Sequence, residues 1–308
     1  MSRLAAWHDM AARLGKILTR KPYPLHRNEN ISPFFIIGSG RSGTTLLRRM
    51  LVASKQVHIP PETYVLSQVI ELYRRNAYLE WPTLVKQCMA LFELHPEFET
   101  FQISLRPLLP DLLSLPEAER SLAKILDMFY RYHAEQTGVA CERWGDKTPI
   151  NTFALDDIYA VFPKAKFIHL LRDGVDVVHS YITTGLITNI ESAAGRWCDT
   201  VKLAREFSIK HVDACLETRY EKLSCNPIDE MKRICAFLEL DFEMYMIEQR
   251  EHVSGMGDMQ HYAHYQHANE AISSQHMGKG RQKLSVEDLQ SMAKVMNARL
   301  QEMGYPAC

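Results

Sequence analysis

No two of the seven cysteines form a C-x-x-C pair, and Cys88, Cys141, Cys198, Cys215, Cys225, Cys235 and Cys308 are scattered and odd in number. That pattern argues against a disulfide framework and is read as reduced thiols in a reducing compartment. Long hydrophobic runs are missing too. None approaches the roughly 18 to 20 residues needed to span a bilayer, and no compact apolar segment with a small-residue cleavage site opens the chain. A soluble, cytoplasmic protein is expected. Net charge is nearly absent at −1, which removes the positive field that nonspecific nucleic-acid binding requires but leaves room for a local basic pocket around a small anion.

What is present is an ordinary core. Apolar residues make up 46% of the 308 and charged residues 24%, enough to fold one large α/β domain with helical insertions. At the N-terminus Leu4, Trp7, Ala11, Leu14 and Leu18 share one helical face, with Arg3, Arg13, Lys16 and Arg20 off it. Residues 1–30 therefore read as a helix and linker. Packing on the protein body, peripheral membrane contact through residues 1–21 and an organelle presequence are three readings of that basic amphipathic signal.

The stretch Phe34-Phe35-Ile36-Ile37-Gly38-Ser39-Gly40-Arg41-Ser42-Gly43-Thr44-Thr45 reads as a buried strand, a tight loop and the start of a helix over Thr44 to Ala53. Gly38 to Gly43 has the spacing of a P-loop, in which backbone N–H groups and a helix N-terminus hold an anion. Thr44, however, stands where a nucleotide triphosphatase needs lysine. The loop is then poorly equipped for a β/γ-phosphate pair with magnesium, yet can hold one phosphate through amides, the Ser42, Thr44 and Thr45 hydroxyls and the charge of Arg41.

Further strands are read at Val57-His58-Ile59, Lys166 to Leu171 and Ala214 to Arg219, the last followed by Tyr220 and, after Pro227, a helix. The turn Arg172-Asp173-Gly174 leads into a helix from about Val175 to Thr183, so strand, turn and helix repeat. Alternating strands and helices imply a P-loop-type three-layer α/β sandwich around a mostly parallel sheet, with ligands at the carboxyl ends of its strands. Residues 63–137, broken by prolines 82, 96, 107, 110 and 116, read as short helices inserted on the acceptor side. In residues 252–285, His252, His261, His264, His267 and His276 leave a metal site and a polar loop both open, the ligand spacing favouring the loop. Gly278-Lys279-Gly280-Arg281 reads as a basic turn or a loop closing over an anion, ahead of a helix capped by Ser285.

Gly40-Arg41-Ser42-Gly43-Thr44-Thr45-Leu46 together with Leu171-Arg172-Asp173-Gly174-Val175-Asp176-Val177-Val178-His179-Ser180 resembles the two nucleotide motifs of sulfotransferases that use 3′-phosphoadenosine 5′-phosphosulfate (PAPS). The resemblance leans toward the tyrosylprotein sulfotransferase-like and bacterial branch. It implies that the first loop, with Arg41, Ser42, Gly43, Thr44 and Thr45, holds the 5′-phosphosulfate and that Arg172 and Ser180 hold the 3′-phosphate. An arginine fork beside a hydroxyl suits such a dianion on chemical grounds as well. Glu62, in Pro60-Pro61-Glu62-Thr63, resembles that branch's catalytic glutamate, and Lys147, in Gly145-Asp146-Lys147-Thr148-Pro149, its lysine. Tyr220 resembles the nucleotide-contacting tyrosine, and Lys279, Gly280 and Arg281 the segment that closes on the nucleotide.

The implied reaction moves a sulfuryl group to a hydroxyl of a sugar, lipid, small metabolite or phenol, with Glu62 as base, Arg41 and Lys147 stabilising charge, adenosine 3′,5′-bisphosphate (PAP) as product and no metal. Alternatives are sulfation of peptide tyrosine, an ATP-dependent P-loop kinase and a noncatalytic nucleotide-binding module. Thr184 stands where the protein-tyrosine enzymes carry arginine. His58 and His169 are rival bases, His58 because it precedes Glu62 by four residues and His169 with a core position as the stronger reading.

Overall fold

A computed structural model describes residues 15, 21–27, 29–139, 142–248 and 274–308. Strand β1 (Phe34–Ile37) runs through the glycine-rich loop into α1 (Thr44–Ala53), and β2 (Val57–His58) follows. The helices α2 (Leu66–Asn76), α3 (Trp81–Glu93) and α4 (Leu122–Gln136), separated by shorter turns of helix, precede β3 (Arg143–Asp146). Then come α5 (Leu155–Val161), β4 (Lys166–Leu171), α6 (Gly174–Thr183), α7 (Ile190–Lys210), β5 (Cys215–Arg219), α8 (Tyr220–Cys225) and α9 (Pro227–Leu238); α10 (Val286–Glu302) lies beyond the next undescribed stretch.

The five strands lie in the order β2-β3-β1-β4-β5, and every pairing is parallel. Alternation along β1 explains the layers. Phe35 and Ile37 point into a core built with residues of α2, α3, α4 and α5, whereas Phe34 and Ile36 point into a second core with Leu47, Met50 and Leu51 of α1 and Met231, Ile234 and Leu238 of α9. A third cluster joins α6, α7 and α10 through Val175, Val178, Trp197, Val201, Met292 and Met296. The sheet is thus covered on both faces, the condition under which parallel strands are stable, and the expected three-layer sandwich is the observed one.

Sequence and structure agree closely where apolar runs are continuous. β1, α1 and β4 begin and end where expected, and β5 starts one residue later than expected, at Cys215. The helix expected from Ser285 carries a complete capping box, with Asp288 N–H donating to Ser285 Oγ and the Asp288 carboxylate accepting from the Ser285 N–H. Elements additional to the sequence reading include β3, α5, the 21-residue α7 and the short α8. The expected amphipathic helix over residues 1–21 lies outside the described residues apart from Gly15 and Lys21, as do His252, His261, His264 and His267. No described helix is long and apolar enough to cross a membrane.

Candidate active site

Each of the five strands delivers one candidate residue at its carboxyl end. Lys147, Arg172 and Tyr220 directly follow β3, β4 and β5, while Arg41 and Glu62 come four residues after β1 and β2. Because the strands are parallel, these ends share one edge of the sheet, where ligands bind in such folds. A cavity of about 890 Å³ opens there, lined by Arg41, Gly43, Thr44, Thr45, Glu62, Arg172, Ser180 and Tyr220 among others.

The anion cradle follows from backbone geometry. Arg41 (φ 68°) and Gly43 (φ 93°) are both left-handed, which turns the loop so that Gly43 caps α1 without a side-chain acceptor. The first N–H groups of α1 are therefore presented to the cavity as donors. Gly43 is required for a second reason, since a Cβ there would lie 2.4 Å from Cδ2 of Tyr220. Tyr220 lies in turn under the Arg172 guanidinium, 4.3 Å from ring centroid to Cζ.

The two loops expected to share the nucleotide are joined directly. Arg41 Nε donates to Ser180 Oγ at 3.0 Å, and Arg172 Nη1 donates to the Arg41 carbonyl at 3.0 Å. Arg172 also lies 3.6 Å from Asp176, one helical turn on. Among the described residues, Ser42 Oγ and Arg172 Nε are buried without a hydrogen-bond partner. Buried polar groups are normally satisfied, so two adjoining loops, each with one such atom and one of them leading into a helix N-terminus, fit a phosphate or sulfate ester.

The carboxylate end is built by β2 and β3. Their pairing, Val57 with Arg143 and His58 with Trp144, brings the following loops together. Lys147 Nζ bonds to Glu62 Oε1 and, at 3.3 Å, to Thr45 Oγ1 in the first turn of α1. Lys147 is fully buried and Glu62 8% exposed, yet Glu62 lines the cavity. Lys147 therefore links the anion cradle to a carboxylate facing the same space.

Other expectations are placed differently. Ser42, Lys147, Gly280 and Arg281 do not line the cavity. Arg281 is committed to Asp173, through Nε at 3.0 Å and Nη2 at 3.2 Å, and to the Pro306 and Ala307 carbonyls at 2.7 Å each. Gly280 donates its N–H to Asp176 Oδ1 at 2.8 Å and packs so tightly on the Val175 carbonyl that a Cβ would lie 2.4 Å from it. Lys279 does line the cavity. His58 does not line the cavity; its Nε2 contacts His133 Nδ1 at 2.7 Å in the core. His169 is buried in β4, 3.3 Å from Glu217.

Several cavity residues receive no role from the sequence, among them Tyr64, Glu97, His179, Arg196 and Lys283. His179 had a signal, being the neighbour of Ser180 within the second motif; partial burial, then the Lys283 charge, lower its pKa. Arg196 stands on α7 with its guanidinium 4.3 Å from the Phe153 ring centroid, and exposed Ile150 and Leu186 line the same region. Nothing local in the chain marks these residues, which meet only through the fold.

A family model described as "Sulfotransferase family" matches residues 33–244. The chain is similar to Protein-tyrosine sulfotransferase 1 of Danio rerio, 24% identical over 240 residues that cover 76% of this chain and 60% of that protein. It is similar also to the Protein-tyrosine sulfotransferase of Drosophila melanogaster, 26% identical over 235 residues covering 74% and 42%. The chain spans about half the length of the curated relatives it matches. Among solved structures, the sulfotransferase domain from the curacin biosynthetic pathway superposes with a TM-score of 0.60 at 18% identity, covering 91% of this chain and 100% of that one. The sulfotransferase domain of the Synechococcus olefin synthase gives 0.57 at 22% identity, covering 89% and 98%. These likenesses are likenesses of fold.

Proposed function

Because the chain belongs to the sulfotransferase family, we propose that it is an enzyme that transfers a sulfuryl group from PAPS to an acceptor hydroxyl. The observation that carries this reading is the bridge from Glu62 through Lys147 to Thr45, which ties a cavity carboxylate to the helix start suited to an anion. Arg41, Gly43, Thr44 and Thr45 would hold the 5′-phosphosulfate, with Arg172 and Ser180 on the 3′-phosphate and Tyr220 and Lys279 beside the nucleotide.

In the proposed step the acceptor oxygen forms a bond to sulfur while its proton passes to the Glu62 carboxylate. The bond from sulfur to the bridging oxygen breaks, and that oxygen keeps the electron pair and leaves as part of adenosine 3′,5′-bisphosphate. Arg41 stabilises charge on the sulfuryl oxygens and the leaving bridge, and Lys147, held behind the cavity wall on Glu62 and Thr45, adds its positive field from there. The sulfuryl group carries less negative charge than a phosphoryl group, which supports a reaction without magnesium. The free thiols of Cys88, Cys198, Cys215, Cys225, Cys235 and Cys308 fit a cytoplasmic setting.

A second reading, with peptide tyrosine as the acceptor, is favoured by the names of the relatives. Thr184, at the cavity wall where that branch carries arginine, weighs toward a sugar, lipid, small metabolite or phenol instead. Calorimetric titration with adenosine 3′,5′-bisphosphate, AMP and ATP with magnesium tests the donor. Preference for the bisphosphate, lost in Arg172→Ala, is expected; preference for ATP with magnesium would overturn the reading. Labelled donor with tyrosine peptides and with simple alcohols then separates the two acceptors.

A further inference from the structure

The strand additional to the sequence reading carries a carboxylate that the proposed step does not use. Asp146, the last residue of β3, is 1% exposed. Its Oδ2 accepts from Tyr130 Oη at 2.7 Å and from Thr63 Oγ1 at 2.9 Å, and its Oδ1 accepts from Asn151 Nδ2 at 2.9 Å. The three donors come from three places: α4, the loop after β2, and the turn after β3. Tyr130 is itself held by stacking on Trp144, with ring centroids 3.8 Å apart and planes 4° from parallel.

Thr63 follows Glu62, and Asp146 precedes Lys147. A second bond runs alongside, from Thr63 N–H to Thr148 Oγ1 at 3.0 Å. The chain neighbours of Glu62 and Lys147 are thus cross-linked twice, on both sides of Lys147. A buried charge is costly even when well bonded, and an apolar side chain would often serve stability better. Burial pushes the Asp146 pKa upward against the donors that favour its ionised form. Such an arrangement is explained by what it holds.

We infer that Asp146 and Thr63 form a brace that fixes the Glu62 carboxylate against Lys147, making both of them positioning residues for proton removal. The inference rests on the reading of Glu62 as base. A displacement of about 1 Å in a reacting group can cost about a hundredfold in rate, so loosening this brace acts on turnover before it acts on binding.

Thr63→Val keeps the side-chain volume and removes the donor, while Thr63→Ser keeps the donor. With labelled donor and any acceptor found by screening, Thr63→Val is expected to lower kcat by about tenfold or more. Its Kd for adenosine 3′,5′-bisphosphate and its acceptor KM should stay within about twofold of the parent, and Thr63→Ser should restore most of kcat. Asp146→Asn, where it folds, should fall at least as far as Thr63→Val. Equal kcat in the Val and Ser variants, or bisphosphate affinity lost in step with kcat, would overturn the brace. Glu62→Gln is the separate control: if it turns over like the parent, the base assignment fails regardless of the Thr63 pair.

Discussion

Glu62 and Lys147, 85 residues apart in the chain, meet carboxylate to ammonium at the carboxyl ends of two adjacent parallel strands. The pair is a product of topology. β2 and β3 are neighbours in the sheet although α2, α3 and α4 separate them in sequence, and parallel pairing sets the loops that follow them side by side. With side-chain exposures of 9% and 0%, Glu62 meets solvent only through the cavity and Lys147 has no water to fall back on.

Lys147→Met should therefore cost more than a surface salt bridge would. Removing one partner of a buried pair typically destabilises by about 3–5 kcal/mol, because the other charge is left uncompensated. Glu62→Gln leaves the fully buried Lys147 ammonium without its counter-charge and should cost a comparable amount, while lowering kcat by about a hundredfold or more if Glu62 takes the proton. Denaturant midpoints of both variants and the turnover of Glu62→Gln check these outcomes. Losses below about 1 kcal/mol in both variants would mean that the pair does not act as a buried ion pair.

Gly43→Ala tests the cradle independently of the catalytic pair. The added Cβ would meet the Tyr220 ring at 2.4 Å at a φ of 93°, so Tyr220 must move and the Arg172 guanidinium stacked on it must follow. A strained backbone of this kind costs about 1–3 kcal/mol. Bisphosphate affinity should fall by about tenfold or more, since 1.4 kcal/mol is a factor of ten. Unchanged affinity would mean that Tyr220 and Arg172 do not order the nucleotide site.

Legibility in the sequence followed local signal. Phe34 to Ile37 and Lys166 to Leu171 are apolar runs bounded by turn residues, and both strands emerge at those bounds. Arg143-Trp144-Gly145-Asp146 has no such run; it is a strand through its pairing with β1 and β2, with Trp144 stacked on Tyr130 and Asp146 accepting from three donors. Arg41, Thr44, Thr45, Arg172 and Ser180 meet at one cavity, a placement legible from the spacing of the first loop and, for Arg172 and Ser180, from the motif resemblance. That of Arg281 was not, since whether a basic loop residue faces a ligand or an aspartate depends on Asp173 and the Pro306 and Ala307 carbonyls far along the chain.

The buried imidazole pair predicts acid sensitivity. Burial, then the His133 and Arg48 charges, lower the His58 pKa from 6.5 to about 2. In the unfolded chain His58 binds a proton below pH 6.5, whereas in the folded chain it stays neutral until about pH 2. The unfolded state thus gains protons as pH falls, and stability is lost below pH 6.5 at a slope approaching about 1.4 kcal/mol per pH unit. Between pH 7.5 and 5.5 the parent should lose about 1.4 kcal/mol more than His58→Gln does. Equal losses in urea titrations at the two pH values would show that His58 is protonated in the fold.

Lys279 and Arg281 are two residues apart and should fail in different ways. Lys279 lines the cavity, so Lys279→Ala removes a cation from an anionic ligand; bisphosphate binding should weaken and depend less on salt. Arg281 spends its guanidinium on Asp173, which caps α6 through Val175 N–H, and on two carbonyls of residues 306 and 307. Hydrogen bonds to charged groups contribute about 1.5–3 kcal/mol each, so Arg281→Ala should lower stability measurably. Its effect on the nucleotide should be indirect, arising because the loop bearing Lys279 is also anchored by Gly278 and Gly280 N–H donation to Asp176 at 2.8 Å each. The salt slope of binding decides between the roles. If Arg281→Ala flattens that slope as much as Lys279→Ala does, Arg281 faces the nucleotide directly; an unchanged slope with a lowered unfolding midpoint makes it the clamp that holds the loop.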